Sequence, residues 1–250
     1  MDGMMGKRMR GAMTRAMTGV ALAVAAMLPA AGAQGAKLES WRVLLVAGDD
    51  SAAVFDNAVD RLTEMLRGKA GIELYRLTSD RRLSAPTRAL ASARTIDGAL
   101  KGSAAAGCFV FMTSHGTEKG LYLREDQDAE RNLSPSRLDR ILDAQCGARP
   151  TVVVVSACHS GVFIGRASTG DNRIWLTAAR EDRVSFGCGA EFELTYFDEC
   201  LIGAWPKSRT WRQLFDRTQT CVRLKESELS EASSLPQAFF GDGVRDLELP

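Results

Sequence analysis

Short, continuous apolar runs alternate along this chain with stretches in which apolar positions recur every three or four residues. Runs of the first kind are Trp41 to Ala47, Cys108 to Thr113, Thr151 to Val155 and Ile174 to Ala179, and Ile72 to Leu77, broken by Glu73 and Arg76, is a further strand. They are the length of strands, and β-branched residues are concentrated in Thr151 to Val155, so they read as buried strands. Polar or glycine-rich stops follow three of them: Gly48-Asp49-Asp50, Ser114-His115-Gly116, and Ser156 through Gly161. From Val54 to Leu66 the apolar residues Val54, Phe55, Ala58, Val59, Leu62, Met65 and Leu66 fall on one helical face, and Gly68 and Gly71 end that helix. Thr95 to Leu100 reads as a short helix. Ser134-Pro135 opens another that runs to about Ala144, with serine as cap and proline in the first turn. Thr195 to Trp205 and Trp211 to Leu224 read as two more, the second capped from Ser208 to Thr210. Ser79 to Ser92 is polar, carries Pro86 and reads as a loop. Leu121 to Leu123 reads as a piece of hairpin, and the last twenty or so residues carry no pattern. Continuous apolar strands alternating with helices predict an α/β fold, a parallel sheet covered on both faces.

The first 33 residues stand apart. Lys7, Arg8, Arg10 and Arg15 give a positive start, an apolar run from Met17 to Leu28 follows, and Ala31-Gly32-Ala33 is a small-residue pattern. This is the layout of a secretory signal peptide cleaved after about Ala33. The apolar run is too short to span a bilayer, and no later stretch is long enough, so no membrane insertion is expected after cleavage. The expected organisation is a leader over 1–33 and a single domain over 34–250, in a protein exported to the periplasm or secreted. The sequence has 32 basic and 31 acidic residues; without the leader's four basic residues and one acid, 28 basic stand against 30 acidic. That balance, with no basic stripe interleaved with aromatics, gives no reason to expect nucleic acid as a partner. It says nothing of oligomeric state.

All six cysteines lie beyond the leader, where export permits disulfides. Cys108 and Cys146 precede the third and fourth strands, and Cys200 and Cys221 sit on successive helices. Each pair comes within bridging distance if those elements are neighbours. Cys158 lies elsewhere, in the turn after the strand 151–155, and His115 in the turn after 108–113. Sites in open parallel sheets form beyond the carboxyl ends of the strands, so the two meet if their strands are adjacent. A histidine beside a cysteine turns the thiol into a thiolate, the effective nucleophile. The other histidine, His159, directly follows Cys158, and neighbouring side chains point apart. Gly116 lets its backbone N–H approach a substrate carbonyl and, with the N–H of Cys158, form an oxyanion hole. A zinc site from Cys158, His159, His115 and Cys188 lacks the short, paired ligand spacing such sites show, so no metal or cofactor is expected.

These residues resemble the legumain, caspase and separase group of cysteine peptidases, and most of all the legumain branch. Phe109 to Gly116 is a hydrophobic strand ending in His-Gly, and Val152 to Cys158 is one ending in Ala-Cys, with 43 residues from histidine to cysteine. Val46-Ala47-Gly48, Cys158-x-Ser160-Gly161, Thr177-Ala178-Ala179, Ser185-Phe186-Gly187-Cys188 and Thr195-Tyr196 resemble further legumain segments, so the likeness runs from about Trp41 to Trp205. The resemblance implies a three-layer α/β/α sandwich and a peptidase acting on peptides or proteins, with Cys158 as nucleophile and His115 as base. It implies an orienting residue at Asn57, with Asp50 the competing candidate, and a specificity pocket near Asp56, His159, Ser185 and Glu199. There are departures. Ser114 stands where legumain-type enzymes place an acid before the histidine, Ser156 and His159 stand where they place glutamates around the nucleophile, and Asp56 stands at a basic pocket position. The branch's preference for asparagine is therefore not carried over, and the preferred residue stays open: Asp56 and Glu199 fit a basic residue there and fit a solvated helix face equally well.

The expected reaction is peptide-bond hydrolysis through an acyl-enzyme on Cys158. The alternatives are transpeptidation, if an amine captures that intermediate, and a non-catalytic binding protein on the same fold. No bulky pro-domain is expected. Internal cleavage, as in caspases, is open in the polar stretch from Arg124 to Asn132.

Overall fold

The structure, a computed structural model, describes residues 36–126, 131–166 and 169–250. The leader expected over 1–33 and the middle of the polar stretch 124–132 lie outside the described residues. The central sheet has seven strands; its three innermost are β1 (Trp41–Ala47), β4 (Gly107–Thr113) and β8 (Thr151–Ser156), flanked by β2 (Ile72–Thr78) and β9 (Arg173–Thr177). Two short strands close the edges, β3 (Ala89–Leu90) beside β2 and β10 (Gln237–Phe240) beside β9. The order is β10-β9-β8-β4-β1-β2-β3, parallel throughout except for antiparallel β10. Every residue of β1, β4, β8 and β9 is buried. Burial on both faces is what removes the polar–apolar alternation from their sequences.

The helices complete three layers. On one face, α1 (Ala53–Leu66), α5 (Tyr196–Ala204) and α6 (Trp211–Glu228) pack on Val43, Leu45, Phe109, Val152 and Leu176. On the other, α2 (Ala93–Leu100), α3 (Pro135–Gln145) and the short α4 (Val162–Arg166) cover Leu44, Val110, Val153 and Trp175. The first core holds an aromatic cluster, with Trp211 packed 4.8 Å from Phe109, 5.4 Å from Trp205 and 6.2 Å from Trp41, centroid to centroid. Local chemistry starts the helices where the sequence predicts. Ser134 caps α3 with Pro135 in its first turn, Thr195 caps α5 and Thr210 caps α6. A second, three-stranded antiparallel sheet, β5 (Gly116–Thr117), β6 (Gly120–Tyr122) and β7 (Asn132–Leu133), stands over the carboxyl end of β4.

Several elements differ from the sequence expectation, three of them in the central sheet. β3 falls inside the segment read as a loop, and β10 falls in the patternless tail; both are too short, and too dependent on the neighbour they pair with, to show a period. The strand expected over Ile174 to Ala179 stops at Thr177, because Ala179 leaves the sheet to take the Ser160 and Gly161 turn: its carbonyl accepts from Gly161 N–H at 2.8 Å, and its N–H donates to Ser160 Oγ at 3.1 Å. Both expected disulfides are present, Cys108–Cys146 and Cys200–Cys221, and Cys158 and Cys188 carry free thiols. No helix among the described residues is long and apolar enough to cross a membrane.

Candidate active site

Register, more than any single contact, builds the site. β1 pairs with β4 so that Ala47 faces Thr113, and β4 pairs with β8 so that Thr113 faces Ser156. Two residues beyond each of these, at one level on three neighbouring strand ends, stand Asp49, His115 and Cys158. The strand order reverses between β1 and β4, since β2 follows on one side and β8 on the other. A switch point of this kind opens a crevice at the carboxyl edge.

Each side chain is set by its own turn. Ser114 N–H donates to the Ser156 carbonyl at 3.1 Å, and Ser114 Oγ donates to the Tyr122 carbonyl at 2.8 Å. The Tyr122 N–H returns to the His115 carbonyl at 2.9 Å. The His115 ring meets Phe55 of α1 edge-on, with centroids 5.2 Å apart. Its Nε2 lies 3.8 Å from Asp49 Oδ2, an electrostatic contact beyond hydrogen-bond reach. Asp49 is 3% exposed and further held by Ser51 Oγ at 2.5 Å and by the Arg124 guanidinium at 3.6 Å. Gly116 presses on the Cys158 backbone: a Cβ there would sit 2.2 Å from the Cys158 carbonyl oxygen and 2.9 Å from Ala157 Cβ. Only glycine lets the two turns close to this distance.

Cys158 is partly buried, and its Sγ accepts a hydrogen bond from the Ser185 N–H at 3.3 Å. His159 adopts a φ of 56°, a left-handed conformation that costs a non-glycine residue about 1 kcal/mol or more. Its N–H donates to the Arg183 carbonyl at 2.8 Å, and its Nδ1 lies 2.9 Å from the Glu181 carbonyl. The imidazole of His159 is thereby tied to the loop over 180–188. It also lines a cavity of about 460 Å³ together with Gly116, Thr117, Glu118, Lys119 and Asn132. Ser160 and Gly161 shape the turn behind the nucleophile, where a Cβ on Gly161 would meet Glu181 N at 2.5 Å. Cys188 is held by burial, then by the neighbouring Cys158 and Asp198, as a neutral thiol with a pKa pushed up to about 11.

Four expected site residues stand elsewhere. Asn57 donates its side-chain N–H to the Glu193 carbonyl at 2.9 Å, so it holds the loop before α5 and not the histidine. Asp50 turns to Arg124 at 2.7 Å. Asp56 is buried against Arg88 (2.6 Å) and Thr78 (2.7 Å) and does not offer a charge to a pocket. Burial pushes its carboxyl up, against the pull of both partners. Glu199 pairs with Lys225 and lines a separate cavity of about 730 Å³ between α5 and α6. Of the expected pocket residues, Ser185 and His159 remain beside Cys158. The acid beside His115 is Asp49, whereas the sequence points to its neighbour Asp50. Side chains in extended chain alternate in direction, so adjacent positions face opposite ways, and only the strand register tells which of the two acids faces His115.

A histidine and a cysteine on adjacent parallel strand ends, with a glycine closing the gap, define the class of an α/β cysteine hydrolase. The model of the peptidase C13 family matches residues 94–235, and the chain belongs to that family. Among solved structures, caspase-1 from the insect Spodoptera frugiperda has the same fold, with a TM-score of 0.58 over 83% of this chain and 89% of that one, at 12% identity. No curated protein matches the sequence at a significant level. The protein is a cysteine-type peptidase, and its substrates are peptides or proteins. Among the described residues no group of three or more His, Cys, Asp or Glu side chains is placed to hold a metal ion.

Proposed function

We propose that the protein is an exported cysteine endopeptidase in which Cys158 attacks the scissile carbonyl and His115 moves the proton. The observation that carries this reading is the β1–β4–β8 register, which sets Asp49, His115 and Cys158 level with one another. His115 takes the thiol proton, and the thiolate adds to the peptide carbonyl. The backbone N–H groups of Gly116 and Cys158 stabilise the oxyanion that forms. As the intermediate collapses, the C–N bond breaks and the imidazolium gives its proton to the departing amine. Water then attacks the thioester with His115 as base, and the acid product leaves. Asp49, buried beside Nε2, orients the ring.

Export is supported by the leader-like first 33 residues and by two disulfides, which persist in oxidising compartments. The preferred residue before the cleaved bond is left open by the departures noted above, since neither Asp56 nor Glu199 faces Cys158. A positional-scanning peptide library, run on the wild type and on Cys158→Ala, tests activity and preference together. Turnover by the wild type alone is the expected result. Equal turnover by both, or none by either together with equal labelling of both by an alkylating probe, overturns the assignment.

A further inference from the structure

Beneath the strand ends lies a carboxyl that this reaction does not use. Asp198, in the first turn of α5, is wholly buried. An acid at this place in a helix ordinarily turns back to the N–H of the cap residue. Asp198 keeps only half of that arrangement. Its backbone N–H donates to Thr195 Oγ1 at 3.1 Å, but its side chain leaves the helix and accepts a hydrogen bond from Thr113 Oγ1 at 2.8 Å. Thr113 ends β4, two residues before His115. The Thr195 hydroxyl lies 3.4 Å from that of Ser156, which ends β8 two residues before Cys158. Thr113 and Ser156 face each other in register. Asp198 therefore touches the last rung of both strands that carry the reacting pair, β4 through its carboxyl and β8 through the Thr195 hydroxyl that its N–H holds, and among the described residues its Oδ1 has no hydrogen-bond partner.

Such a group is costly to keep. Burial pushes the Asp198 carboxyl up to about 6, and the hydroxyls of Ser156, Thr113 and Thr195 offset this only in part. Among the described residues no cation relieves it. From β4 and β8 it meets hydroxyls, and from the loop before α5 it meets the Cys188 thiol, which it helps to keep neutral. On α5 itself Glu199 turns to Lys225, and from α1 Asp56 turns to Arg88. An apolar residue of similar volume would fill the space at less cost.

We propose that Asp198 is a positioning residue for the cleavage reaction: its ionised carboxylate clamps the carboxyl ends of β4 and β8 from beneath and so fixes His115 relative to Cys158. This rests on the reading of those two residues as the reacting pair. Bonds to an ionised acceptor are roughly twice as strong as neutral ones. The clamp is set above a pH of about 6 and slackens below it.

The test compares wild type, Asp198→Asn and Thr113→Val from pH 4.5 to 8.5, reading kcat, KM and the rate at which iodoacetamide alkylates Cys158. In the wild type the acid limb of kcat/KM reports two groups, the reacting pair and Asp198, so it steepens toward about two decades per pH unit; in Asp198→Asn it falls to about one. That variant also loses about tenfold or more in kcat, with KM within about twofold, because a displacement of a fraction of an ångström acts on the chemical step. Thr113→Val moves the limb to higher pH, since the carboxylate loses a donor that favours its charged form; it carries the test if Asp198→Asn does not fold. A folded Asp198→Asn with kcat and acid limb unchanged overturns the proposal. Absence of turnover in the wild type overturns the peptidase reading instead. The alkylation profile then decides for Asp198: a limb altered in the variant supports the clamp, and an unaltered one overturns it.

Discussion

At the amino end of the β4–β8 pair, the Cys108–Cys146 disulfide ties the start of β4 to the turn that leads into β8. At the carboxyl end the same two strands are tied by the Thr113 and Ser156 hydroxyls around a buried carboxyl. The first tie is covalent and indifferent to pH near neutrality. The second depends on one proton and leaves a carboxylate oxygen without a partner. Apolar packing runs unbroken between them, since every residue of both strands is buried. The difference teaches where each property resides. The amino end limits the unfolded chain and adds stability, whereas the carboxyl end gives up stability to hold polar groups where chemistry happens.

Breaking each end in turn separates the two roles. Cys158→Ala has the largest expected effect, a loss of at least about 1,000-fold in turnover with an unchanged circular dichroism spectrum, because no other group supplies the nucleophile. His115→Ala comes close behind, and the double variant is no worse than either, as for groups that act as a unit. Replacing Cys108 and Cys146 by serine acts on the other end. The bridge closes a loop with a sequence separation of 38, so its loss costs about 4 kcal/mol in denaturant unfolding. At a temperature where that variant is folded, kcat stays within about twofold of wild type. A loss of kcat matching the loss of stability would show that the two ends are not separable.

Asp198 gives a smaller effect with a fixed sign. Its carboxyl pKa is raised from 3.8 to about 6 in the folded protein, which therefore holds that proton more tightly than the unfolded chain does. The contribution is most favourable below pH 4, declines as pH rises through about 6 and stays low above. The difference is about 3 kcal/mol. Urea unfolding at pH 4 and pH 7 checks this, and Asp198→Asn removes that part of the pH dependence. Asp49→Asn, which keeps the shape beside His115 but loses the charge, lowers kcat about tenfold with little change in KM. The smallest effect is expected of Asp56→Asn, which leaves cleavage preference in a peptide library unchanged because Arg88 and Thr78 already occupy that carboxyl.

Some of this was legible along the chain. Strands β1, β4 and β8 announce themselves as apolar runs, and the turns that stop them carry His115-Gly116 and Cys158. Local chemistry alone places Ser134, Thr195 and Thr210 at helix starts, because a hydroxyl there satisfies a backbone N–H within three residues. Both disulfides were legible too, from which elements their cysteines precede or occupy. Asp56 misled because a charge on an amphipathic helix looks solvated until the partner from a distant loop, Arg88, is brought against it.

The sequence by itself determined the alternation of elements and offered Cys158 and His115 as the chemically capable pair, since these depend on periodicity within a segment and on which such residues exist at all. The tertiary structure decided what depends on pairing across segments. Strand register set Asp49, and not Asp50 or Asn57, beside His115, and it gave Gly116 a reason in the carbonyl of Cys158. It also carried Asp198 from an unremarkable helix turn to the floor beneath the reacting pair. Contacts of this kind join residues far apart in the chain, and their energy is set by burial and by a partner's position, neither of which is written in local pattern.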